Sequence, residues 1–281
     1  MKKYFVNFAT PEFYGSQERL NKTAEGYGFK AFSYTMEGIK GTNFYKRNKA
    51  LLSEKKGAGY WSWKPYIVLD VMKRMKEGDL LVYCDSGLKL IGDPSDFAKL
   101  CKRNKGILLF ANESYSKHYT KRDCYILMGC DSEKYWRAHQ ANGGLQVYIK
   151  NAHSQKVLKE WLKYVQVPGI VNDSFNKCGK PNLSGFIQHS WDQSVLSNLA
   201  VKHGIKLYRR LDDDKPNPEF PDCNYPMYFI AERKKKRSLG ENVVLKFKMI
   251  LPLSVKHAFK RTVNGSPFLH GLYYKKNEIN R

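Results

Sequence analysis

Short apolar runs alternate with stretches of helical periodicity from residue 4 to about residue 210. This alternation constrains the chain more than any other feature, because a strand followed by a helix can pack back onto its sheet in only a few ways. Tyr4-Phe5-Val6-Asn7-Phe8-Ala9 is a short apolar run that stops at Thr10-Pro11, as a buried strand does. Residues 16–24 read as a helix capped by Ser16 and stopped by Gly26 and Gly28, and residues 30–35 as a second strand. The clearest helix is 66–76. Ile67, Val68, Val71, Met72 and Met75 recur at helical spacing, Pro65 suits the first turn, and Gly78 lies just past the end. Leu80-Leu81-Val82-Tyr83 is then a buried strand, stopped by Cys84-Asp85-Ser86-Gly87. Further helices are expected over 96–103, 154–165 and 191–203, and strands over 106–111, 144–149 and 205–208. The pattern predicts one α/β domain with a mostly parallel central sheet. Residues 168–190 hold Gly, Pro, Asn and Ser with little periodicity and predict a long loop, a common seat of function. No internal repeat is present.

With 281 residues, 42% of them hydrophobic, the chain can bury a large core, which excludes wholesale disorder and fibrous repeats. No apolar run approaches the roughly 18 residues of a membrane span. The start is basic, but the apolar stretch after it is broken at Asn7 and Pro11, so it reads as a first strand and not as a signal peptide. Six cysteines form no CxxC pair and, without an export signal, read as reduced thiols of a cytosolic protein.

The net charge of +23 favours polyanions: nucleic acid, an anionic membrane or nucleotide phosphates. It is unevenly spread. After Leu211 the run Asp212-Asp213-Asp214-Lys215-Pro216-Asn217-Pro218 reads as a linker. Residues 231–281 then carry 13 Lys and Arg against three Glu, among apolar residues such as Val243, Val244, Phe247, Ile250 and Leu253. Such a segment reads either as a membrane or partner surface or as a solvated helix packed on the domain. The expected division is thus a domain over 1–215 and a linker with a basic, helical segment over 216–281. With the charge gathered in that segment, and no RNP-like or helix-turn-helix pattern, a nucleic-acid partner is disfavoured.

Four places bear residues suited to chemistry. Asp85 follows a buried strand, where α/β sheets bind ligands, and Ser86-Gly87 let the backbone turn sharply. Its carboxylate either holds a ribose hydroxyl or a metal bridging phosphates, or caps the next turn. Gly57-Ala58-Gly59-Tyr60-Trp61-Ser62-Trp63-Lys64-Pro65 sets two Trp and a Lys before the clearest helix. Lys64 is a compact phosphate-binding charge and Trp faces suit sugar rings, while one Trp is expected to be a buried anchor. The P-loop spacing is absent. Asn142-Gly143-Gly144 marks either close approach of a ligand to backbone or an ordinary turn. Asp192 in Trp191-Asp192-Gln193-Ser194 either binds sugar hydroxyls, acts as a base, or is a helix-start acid.

In order and spacing, these segments resemble GT-A glycosyltransferases of the family 8 type, the glycogenin-like and bacterial lipopolysaccharide galactosyl- and glucosyltransferases. The Gly-Tyr-Trp-x-Trp-Lys-Pro segment is similar to capsule and lipopolysaccharide glycosyltransferases of bacteria and large viruses. The resemblance covers residues 4 to about 210. It implies a GT-A-like (Rossmann-like) fold and retaining transfer of a hexose from a nucleoside-diphosphate sugar, such as a UDP-sugar, to a glycan or lipid-linked acceptor. A cytoplasmic site in surface polysaccharide synthesis follows, with the basic segment on the membrane. Carried over, Thr10 would lie by the base, Lys64 by the diphosphate, and Asp85 with Ser86 at ribose or metal. Asn142, Gly143 and Gly144 would border the sugar, with Asp192 and Gln193 on its hydroxyls as the catalytic pair. Gly87 stands in place of the second Asp of Asp-x-Asp, and Ser194 in place of the second Asp of Asp-Gln-Asp. A divalent ion (Mn or Mg) at Asp85 would therefore lack a ligand, and Lys64 with nearby basic residues is the alternative counter-charge for a leaving diphosphate. Gly87 also keeps open an inactive scaffold of the same fold.

Overall fold

The computed structural model describes residues 1–211, 219–220, 225–232, 252–271 and 273. The 212–218 linker and the basic and apolar run 233–251 lie outside the described residues. The strands are β1 (Lys3–Ala9), β2 (Lys30–Thr35), β3 (Leu80–Cys84), β4 (Leu88–Leu90), β5 (Ile107–Tyr115), β6 (His139–Ile149), β7 (Leu207–Tyr208) and β8 (Phe229–Ala231). Six of them form one sheet in the order β2-β1-β3-β6-β5-β7, and β4 pairs with β8. β1 is parallel to β2 and β3, and β7 to β5; β6 alone runs against its neighbours. The protein is thus α/β with a mostly parallel central sheet. β6 is reversed because β5 passes into it through short helices at one end of the sheet, where Tyr115 pairs with His139. No crossover helix returns the chain to the other end.

The two faces of the sheet follow from the period of two along each strand. Val6 and Phe8 of β1 and Leu81 and Tyr83 of β3 pack with helices Lys64–Lys73, Ala152–Val165 and Trp191–His203. Phe5, Val82 and Phe110 point the other way, onto helices Tyr14–Gly26 and Ala98–Arg103. The β1–β2 and β2–β3 connections therefore cross on opposite faces. This creates a topological switch point between the carboxyl ends of β1 and β3, where an open α/β sheet offers its crevice.

Three expectations are corrected. The first helix begins at Tyr14 and not at a Ser16 cap; Ser16 is buried inside it and its hydroxyl accepts from Arg19. Asn142-Gly143-Gly144 lies within β6, which starts at His139; the two glycines are a place of close approach in the strand, where a Cβ at Gly144 would come within 2.9 Å of Asp85 Oδ2 and one at Gly143 within 3.3–3.5 Å of Gln193, Asp192 and Lys64. Beyond residue 216 the chain also supplies β8, which returns to pair with β4. Three residues are too short a run to show strand periodicity. Further on, Leu253–Gly265 is a helix that docks through buried Val263 and Asn264, whose Nδ2 donates to the Ile187 carbonyl at 2.8 Å.

Candidate active site

Asp85 sits at the switch point. Its backbone N–H donates to the Gly144 carbonyl at 2.8 Å, carrying the β3–β6 ladder one residue past the strand. Tyr83, two residues earlier and so on the same face, donates its hydroxyl to Asp85 Oδ1 at 2.6 Å. Burial holds the Tyr83 hydroxyl well above its ordinary pKa, so it stays a donor and fixes the carboxylate. The other oxygen, Oδ2, faces Gly144, where a Cβ would come within 2.9 Å of it. Glycine at 144 is what lets the carboxylate lie against the strand.

Beneath Asp85 lies a buried charge cluster. Lys64, 3% exposed, enters from the first turn of its helix and donates Nζ to the Gly143 carbonyl at 2.8 Å. The same ammonium is 3.3 Å from Asp192 Oδ2 and 3.5 Å from Asp85 Oδ1. Burial acts to lower the Lys64 pKa, but the two carboxylates outweigh it and hold it raised. Burial pushes the Asp192 carboxyl up to about 7, against the pull of Lys64. Asp192 Oδ2 faces the Lys64 ammonium and takes no other hydrogen bond. One cation thus joins the end of β3, the middle of β6 and the start of helix Trp191–His203.

Two cavities meet at Asp85 and Gly87. The first, about 180 Å³, is aromatic, lined by Phe8, Thr10, Trp61 and Trp63 together with Ser86. Trp63 is the buried anchor, stacked on Phe8 with ring centroids 3.8 Å apart, whereas Trp61 is half-buried at the cavity wall. Trp61 ends a turn, Gly57–Tyr60, in which every residue has positive φ. Ala58, Tyr60 and Trp61 hold left-handed conformations that cost roughly 1–2 kcal/mol each. Strain of this kind persists where surrounding structure enforces it, and it gathers at functional sites. Trp191, also at positive φ, sets its ring 5.0 Å from that of Trp61 and donates Nε1 to Asp173 at 2.9 Å. The second cavity, about 280 Å³, is polar on one side, with Asp85, Asn142, Gly144, Gln193 and Arg210. Asn142 Oδ1 accepts from the Gly144 N–H at 2.7 Å, and Gln193 Oε1 from the Gly143 N–H at 3.1 Å.

The structure therefore brings all the expected site residues to one place but in two layers. Thr10, Asp85, Ser86, Asn142, Gly144 and Gln193 line the cavities. Lys64, Gly143 and Asp192 lie behind them and line neither. Tyr83 and Arg210 join the site without a sequence signal: Tyr83 reads as strand filling, and Arg210 is one basic residue among 49 Lys and Arg.

Among the described residues no group of three or more His, Cys, Asp or Glu is placed to hold a metal ion. Among the described residues Asp85 is the one carboxylate lining these two cavities, and its Oδ1 already takes the Tyr83 hydroxyl and faces the Lys64 ammonium. An ammonium at that distance repels a second cation, so these residues do not make a protein-held metal site. His270 lines a different cleft, with Phe175 and Trp191.

No family model matches the sequence, and no curated protein matches it. Solved structures do resemble the fold. One is a glycosyltransferase involved in glycosylation of the major capsid of PBCV-1, with 10% identity, 89% of this chain and 100% of that chain covered, and a TM-score of 0.42. Mouse xyloside xylosyltransferase 1 shares 7% identity over 82% of this chain and 97% of its own, with a TM-score of 0.44. An active-site mutant of LgtC shares 11% identity over 89% and 98%, with a TM-score of 0.41.

Proposed function

We propose that this protein is a GT-A-type glycosyltransferase that moves a hexose from a nucleoside-diphosphate sugar to a glycan or lipid-linked acceptor. The observation that carries the reading is the junction at Asp85: an aromatic cavity on one side, a polar one on the other, and the Asp85 carboxylate between them at the switch point. The base would enter the cavity lined by Thr10 and Trp61, Asp85 takes the ribose or the phosphate end, and Asn142 and Gln193 take sugar hydroxyls. Catalysis then rests on positioning and on electrostatic stabilisation of the departing diphosphate. Lys64 contributes from behind, by holding Asp85 and the Gly143 carbonyl in place. Any divalent ion would be held by one oxygen of Asp85 and by the donor's own phosphates.

The retaining outcome, the cytoplasmic setting and a role in surface polysaccharide synthesis rest on the sequence resemblance. A membrane-bound acceptor gains support from helix Leu253–Gly265. Leu253, Val255 and Phe259 are 66%, 49% and 55% exposed on it, beside Lys256 and Arg261, and Phe268 just beyond is 73% exposed. No helix among the described residues is long and apolar enough to cross a membrane.

Thermal unfolding with UDP, GDP and their hexose conjugates tests the reading. One of them at a hundred times its Kd should stabilise the fold by about 2.7 kcal/mol, and the conjugate should be slowly hydrolysed. If none shifts the transition, the protein does not use such a donor. Stabilisation without turnover on any acceptor would favour the inactive scaffold.

A further inference from the structure

A third cavity, about 580 Å³, continues from the second through Gln193 and Arg210, which line both. A bulge in β5 shapes it. Between the pairs Ala111–Ala141 and Tyr115–His139, β5 spends four residues where β6 spends two. β5 thus carries two extra residues within Asn112–Ser114, and these three residues form part of the cavity wall. Bulges re-aim side chains beside active sites, and this one is tied to the donor side, since Asn112 Oδ1 accepts from Asn142 Nδ2 at 3.2 Å.

The chemistry of the wall is selective. Asn112, Ser114, Gln140, Gln188, Ser190 and Gln193 are all neutral, and each can donate and accept. Among the described residues, Glu113 and Arg210 add one charge of each sign. In a chain of net charge +23, a cavity balanced in this way is not built for a second polyanion. Hydroxyl groups, each both donor and acceptor, match it. The amides are also preset: Gln193 Nε2 donates to Gln140 Oε1 at 2.6 Å, and Gln140 Nε2 to Thr120 Oγ1 at 3.1 Å. The volume suits a small saccharide, being within the roughly 300–1,000 Å³ of small-molecule sites. At the far rim Gln188 accepts from Lys260 of helix Leu253–Gly265, so the cavity ends against the helix with the exposed apolar face.

We propose that this cavity is the acceptor site, that it takes an uncharged saccharide, and that the Glu113 carboxylate accepts hydrogen bonds from the saccharide's hydroxyls. The assignment of the acceptor rests on the glycosyltransferase reading; the ligand class rests on the cavity itself.

Saturation-transfer NMR on the full chain tests it, with lactose and maltose as neutral probes and glucuronate as the acidic one, all at millimolar concentration. Lactose or maltose should receive saturation and glucuronate should not. Ser114→Trp, which fills the cavity, should abolish the signal. Glu113→Gln, isosteric and at an exposed position, should weaken binding roughly tenfold through loss of a charge-assisted hydrogen bond. No saturation of either neutral sugar, preference for glucuronate, or full binding by a folded Ser114→Trp together with Glu113→Gln would each overturn the proposal. Failure of the donor reading registers separately, as absence of any UDP or GDP effect on unfolding.

Discussion

Asp85 and Asp192 are both carboxylates within 3.5 Å of one ammonium, yet their surroundings give them different work. Asp85 is anchored by Tyr83 and opens to the cavities; its replacement by Asn keeps shape and removes charge. Asp85→Asn is therefore expected to lower sugar transfer at least about a hundredfold while leaving unfolding within roughly 1 kcal/mol of wild type. Near-normal transfer by that variant would remove Asp85 from the mechanism. Asp192 is buried, and its folded pKa of about 7 stands above the ordinary 3.8. Between those values the folded chain keeps a proton that the unfolded chain has released. The contribution is thus present at low pH and is lost as pH rises through about 7, with a slope of at most about 1.4 kcal/mol per pH unit. Urea titrations should show stability falling from pH 5 to about pH 7 and levelling off towards pH 8 in wild type, and no such fall in Asp192→Asn. Lys64→Met should cost about 3–5 kcal/mol at pH 8, where it strands buried carboxylate charge, and less at pH 5. An equal cost at both pH values would mean that Asp192 does not take up the proton.

At the scale of elements, the left-handed turn Gly57–Tyr60 decides where Trp61 stands. Gly59 has φ of +94°, and a Cβ there would lie 2.8 Å from the Leu52 Cα and 2.9 Å from the Leu51 carbonyl. Neither backbone atom can yield cheaply. Gly59→Ala is expected to destabilise by roughly 2–4 kcal/mol and to weaken nucleotide stabilisation, since the turn carries one wall of the aromatic cavity. Gly41→Ala, with φ of −72° and nothing within 4 Å, is the control and should be nearly silent. A Gly59→Ala protein as stable as that control would show that the turn can relax without consequence. Glycines 143 and 144 work differently: they sit in extended β6, and their missing side chains make room for Lys64, Asp192 and Asp85.

For the whole molecule, the distribution of charge matters more than its total. Thirteen basic residues lie in 231–281, and the described helix there adds exposed Leu253, Val255 and Phe259. A basic group near an anionic bilayer contributes about 1 kcal/mol, screened by salt. Full-length protein should sediment with vesicles containing phosphatidylserine at low ionic strength and leave them as salt rises. Phe259→Glu with Phe268→Glu should reduce that binding without shifting the thermal transition, because both rings are more than half exposed. Indifference of the wild-type protein to such vesicles would assign the exposed rings another partner.

Local periodicity determined the class of fold. The apolar runs at 4–9 and 80–83 are set by burial on both faces of the sheet, and the helix around Ile67, Val68, Val71 and Met72 by burial on one face, signals that neighbours in sequence carry by themselves. The same runs placed Thr10 and Asp85 at strand ends, and with them the region of the site. Tertiary structure alone decided the rest. The reversal of β6 depends on which end of the sheet the 116–138 helices occupy, and the bulge at Asn112–Ser114 on how β5 registers against β6. Sequence order likewise could not sort Lys64 and Asp192 into a layer behind Gln193, since Asp192 and Gln193 are adjacent in the chain and differ only in which way the helix turns them. Depth below a surface is a property of elements brought together from residues 64, 85, 143 and 192, and no local pattern encodes it.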